Sequence, residues 1–109
     1  MRKCSINIKD KDYDLQLTRE SVKWLENAGF DASNFEKKPL TYIDMIWACA
    51  FIANHKEVNA NLASKLMNTY AEEGGDVMEI INFVIEEYQS FMSALTDTKA
   101  KKKANIQEI

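Results

Sequence analysis

The sequence predicts an α+β fold, mostly α, in which one N-terminal β-hairpin packs on a four-helix bundle. Three observations carry this. Apolar residues alternate with polar ones only near the start, at Ile6, Ile8, Tyr13, Leu15 and Leu17, which is the period of half-buried strands. After Thr18 the apolar spacing becomes helical. Three glycines and one proline in 109 residues are too few turn formers for an all-β chain.

The hairpin is expected over residues 4–17, with the Asp-rich stretch "KDKD" as its tight connection. Thr18 is placed to cap a first helix over about 19–28. Val22 and Leu25 share its inner face, with Trp24 beside them. Gly29 suits a left-handed stop, and Phe30 stands where a Schellman motif makes its apolar contact. "DASNFEKKP" reads as a loop ending at Pro39. Thr41 then caps a second helix over about 42–54, with Asp44 as the return half of a capping box. From Tyr42 to Ala53 only Asp44 is charged, and a helix apolar all round is a buried one. Trp47 and Phe51 are its bulky fillers.

A third helix is expected over about 60–73, with Leu62, Ala63, Leu66, Met67 and Tyr70 as its apolar stripe and Gly74–Gly75 as its end. Asp76 caps the fourth, over about 77–95, with Glu79 completing a capping box. Ile81, Val84, Tyr88, Phe91 and Leu95 form a 3,4,3,4 seam along it. Residues 1–98 read as one domain, and 99–109 as a basic, flexible tail.

Charge and chemistry narrow the function. The net charge is −3; residues 99–109 hold four lysines and one acid, contributing +3 and leaving −6 on the rest. An acidic body repels phosphate backbones. Cys49 lies in the apolar run and reads as a buried, inert thiol, while Cys4 is near the chain start. Cytoplasmic thiols are the default for such usage, the start shows no apolar leader, and the apolar run is shorter than the about 20 residues of a membrane span. His55, the only histidine, lacks companion ligands at a metal-site spacing and is expected to be exposed in a connection. Glu72–Glu73 and Glu86–Glu87 are adjacent pairs that point to different sides of a helix, as a solvated face does. "AEEGGD" lacks the lysine and spacing of a phosphate loop. No catalytic, cofactor-binding or metal-ligating residue is assigned, and enzymatic activity is not expected.

The opening "INIKDKDYDLQLTRESVKWLENAGFD", with Trp24, Leu25, Glu26 and Gly29 ending its helix, resembles the start of the phage tail assembly chaperones of tailed phages and prophages of Gram-positive bacteria. The stretch from Tyr42 to Phe91 also resembles them: an apolar helix, a polar connection, a helix ending "EEGG" and a last long helix. The resemblance covers about Ser5 to Met92. It implies a non-enzymatic protein that binds the tape measure protein, keeps it in solution in the host cytoplasm, recruits tail tube subunits, and is absent from the mature virion. The alternative is a small helical DNA-binding regulator of a phage or mobile element, against which no helix carries a dense Arg/Lys face.

A partner surface is expected at the end of the fourth helix. That helix spans about 28 Å and the second only about 20 Å, so Tyr88, Phe91, Met92 and Leu95 would overhang the body. The hairpin's outer edge is a further pairing surface, for another copy or a partner.

Overall fold

A computed structural model describes residues 2–96. The basic tail expected at 99–109 lies outside them. The order is β1 (Lys3–Ile8), β2 (Lys11–Gln16), α1 (Arg19–Asn27), a 3-10 segment (Ala32–Lys37), α2 (Pro39–Cys49), α3 (Ala60–Glu72) and α4 (Val77–Thr96). The fold is therefore α+β and mostly α, with an antiparallel two-stranded hairpin followed by four helices.

The hairpin register pairs Ile8 with Lys11 and Lys3 with Gln16. Its two-residue turn, Lys9–Asp10, has φ 49° and 63°. Two positive φ values define the turn whose twist matches the strands, although glycine or asparagine usually occupies it. The Glu73 carboxylate accepts the Lys9 N–H at 2.8 Å and holds this costly turn from the C-cap of α3. Ile6, Ile8, Tyr13, Leu15 and Leu17 all face inward and are buried. On the outer face Ser5 donates to Asp14 at 2.6 Å and Asn7 to Asp12 at 2.9 Å.

Thr18 caps α1 in a reciprocal box with Ser21. Gly29 ends it at φ 93°, with Gly29 N–H on Glu26 O and Phe30 N–H on Leu25 O, the pair of bonds of a Schellman motif. Gly74 repeats the device at the end of α3, through Gly74 N–H on Ala71 O and Gly75 N–H on Tyr70 O. Asp76 accepts the Glu79 N–H at 3.2 Å and caps α4. Trp47 and Phe51 are fully buried, and the Trp47 indole donates to Ala63 O at 2.8 Å, tying α2 to α3.

Six expectations need correction. The second helix starts at Pro39, not after Thr41, because proline's fixed φ and missing N–H suit the first helical position. It stops at Cys49 rather than 54. There the Ala50 carbonyl is taken by the Gln16 N–H of β2, and the chain tightens through Ala50, Phe51 and Ile52 N–H bonds three residues back. Residues 32–37 are a 3-10 helix rather than open loop, capped by Asp31. Leu62 is 38% exposed and lies outside the core line of Ala63, Leu66, Met67 and Tyr70. His55 is not a free loop residue. Its Nε2 accepts the Asp14 N–H at 2.9 Å, and its ring packs edge-on against Tyr13 and Phe51. Glu87, expected on a solvated face, is buried and accepts the main-chain N–H of Arg2 at 2.6 Å.

Candidate functional site

The site grows out of the end of α1. The Schellman motif turns the chain sharply, so Phe30 swings over Leu25 toward α4. Phe30 meets Tyr88 edge-on at 5.7 Å and Tyr42 at 5.2 Å between ring centroids. The following 3-10 segment carries Phe35 to within 6.1 Å of Tyr42. Asp31 steadies that segment by accepting from Ser33 N–H, Ser33 Oγ and Asn34 Nδ2. The Ser33 bonds hold the Asp31 carboxyl below its ordinary range, so the cap stays charged further into acid than a free aspartate would.

Between these elements, α2 and α4 lies a cleft of about 260 Å³. Phe30, Phe35, Ile46, Ile85 and Tyr88 wall it, and Gln89 is a polar group in its lining. Concave, mostly apolar walls with few polar groups are the usual form of a binding site.

The four residues expected at the partner surface fall on one stretch of α4, but not equally. Tyr88 is half-buried and lines the cleft. Phe91 and Met92 are half-buried, and Phe91 packs at the border of the core. Leu95 is 61% exposed. The overhang is thus real at Leu95 and graded before it. Phe30, just past the end of α1, packs on Tyr88, so Tyr88 does not overhang the body as expected. Phe35 and Ile85 escaped the sequence reading. Phe35 sat in a presumed loop, and Ile85 lies off the 3,4 seam. The one signal for this aromatic wall was Phe30 behind Gly29.

Chemistry is sparse around the cleft. Burial pushes the Cys49 thiol upward, and it donates to Ile46 O at 3.1 Å. Among the described residues, no group of three or more His, Cys, Asp or Glu is placed to hold a metal ion, and no helix is long and apolar enough to cross a membrane.

A family model described as a domain of unknown function, DUF5055, matches residues 2–108. The chain belongs to the DUF5055 family. No curated protein and no solved structure matches it. The DUF5055 match spans every element described above, from the hairpin to the end of α4.

Proposed function

We propose that this protein is a non-enzymatic tail assembly chaperone of a tailed phage or prophage. In this reading it acts in the host cytoplasm, binds the tape measure protein, recruits tail tube subunits and leaves before the virion is complete. The observation that carries the reading is the aromatic cleft at Phe30, Phe35 and Tyr88, continued along α4 by Phe91 and the exposed Leu95. The resemblance in the sequence supplies the partner: a long helical chain, apolar on one face. Such a helix can lay its apolar side chains into a groove of this kind. Each apolar side chain buried there contributes about 1.5–3 kcal/mol. Association itself costs at least about 4 kcal/mol, so several side chains of the partner must be held at once, and a groove with an apolar extension suits that need.

The test is co-expression with the products of the neighbouring genes. A very long helical product should stay in solution and co-purify with the wild-type chain. It should be lost with the Phe91→Ser/Leu95→Ser double variant. Unrelated metabolic neighbours and no large helical partner would end this reading.

A further inference from the structure

The two edges of the hairpin are finished differently. In the observed register, Cys4, Ile6 and Ile8 exchange ladder bonds with β2, so the main-chain groups of Lys3, Ser5 and Asn7 point outward. On β2 the matching outward groups are occupied: Asp14 N–H by His55, Asp14 O by Asn54, and Gln16 N–H by Ala50 O. On β1, among the described residues, no protein group bonds to the outward main chain of Ser5 or Asn7, and both residues are exposed. An open strand edge is a template for another strand, and proteins guard it with proline, bulges or charge. β1 has none of these beyond Lys3 at its start.

Beside this edge runs a second cavity, of about 500 Å³, between Cys4 and the outer side of α4. Met78, which is 48% exposed, and Phe83 give it apolar surface. Asp76, Glu79 and Glu86 give it negative charge. The one cation in its lining, Arg2, is already engaged by Glu86 and Glu87, at 3.2 and 3.3 Å.

We propose that the outer edge of β1 is a second docking site, which takes an extended, lysine- or arginine-bearing segment of a partner protein as an added strand. Its main chain would pair with Ser5 and Asn7. Alternate side chains would drop toward Met78 and Phe83, and its cations would meet Asp76 and Glu79. Strand addition draws affinity from the main chain and specificity from the alternating pockets. A free segment can bring several cations to this acidic lining, whereas the β1 strand of a second copy, KCSINI, carries a single lysine.

The experiment uses the full chain, isotope-labelled, and a blocked peptide of alternating lysine and valine. The Ser5 and Asn7 amide signals should move on titration, and their hydrogen exchange should slow at least tenfold. The same peptide N-methylated at alternate residues should bind at least tenfold more weakly, as should its glutamate-for-lysine analogue. Ser5→Pro removes an outward N–H that makes no ladder bond and should weaken binding at least tenfold. Glu79→Lys should do the same without touching the strand, so a misfolded proline variant leaves the test intact. The proposal falls if those two amides do not respond, if the glutamate peptide binds equally, if the shifts map to Phe30 and Tyr88 instead, or if β1 proves to be buried in a dimer. The Phe91→Ser/Leu95→Ser double variant leaves the β1 edge untouched, so the two proposals fail separately.

Discussion

The two halves of α4 carry the same apolar spacing and meet opposite fates. In the first half Ile80, Ile81 and Val84 are buried, and just past the midpoint Glu87 is drawn in by Arg2. In the second half Phe91 is half-buried and Leu95 stands in solvent. The cause is length. α4 has 20 residues and α2 only 11, or about 30 Å against about 16 Å. A helical stripe becomes core only where another element runs alongside it. Where α2 ends, the same pattern becomes a surface, and the Phe30–Phe35 wall turns the boundary between the two into a cleft.

The strongest way to break the closed half is Trp47→Ala. It removes the aromatic between α2 and α3 and the bond to Ala63 O, and should cost about 3–5 kcal/mol in denaturant unfolding. Glu87→Ala comes next. It strips the acceptor from the Arg2 main-chain N–H and should cost about 1–3 kcal/mol. Amide exchange at Arg2 should speed up while Leu95 signals stay unchanged. The open half should respond the other way. Leu95→Ser should move stability by no more than about 0.5 kcal/mol, yet weaken capture of the helical partner, so a large loss of stability would place Leu95 in the core.

Thiol labelling sharpens the contrast without mutation. Cys49, with its thiol pushed up by burial, should resist alkylation until the chain unfolds, and Cys4, only partly buried, should react first. The smallest effect concerns acid. The folded Asp31 carboxyl titrates below its ordinary value, so its cap contributes fully above about pH 4. That contribution is lost as pH falls through the lowered value. Phe35 ring signals should broaden there while those of Trp47 persist.

How much of this was legible depends on the range of the interaction. Thr18, Gly29, Gly74 and Asp76 act within a few residues of themselves, and each ended or started a helix where local chemistry said it should. Pro39 was legible too, but the competing Thr41 signal displaced it. The cleft was half legible. Tyr88 and Leu95 lay on a visible seam, while Phe35 lay in polar surroundings that concealed a 3-10 turn.

By itself, then, the chain determined its elements, the inward face of the hairpin, and Trp47 and Phe51 as core, because periodicity and capping are properties of neighbouring residues. Tertiary structure alone decided what His55 and Glu87 do, where α2 stops, and which strand edge stays open. Each of those depends on a group more than thirty residues away: His55 on Asp14, Glu87 on Arg2, and the Ala50 carbonyl on the Gln16 N–H. No local pattern announces such a partner, because a polar side chain looks the same in sequence whether water or a distant main-chain group will satisfy it.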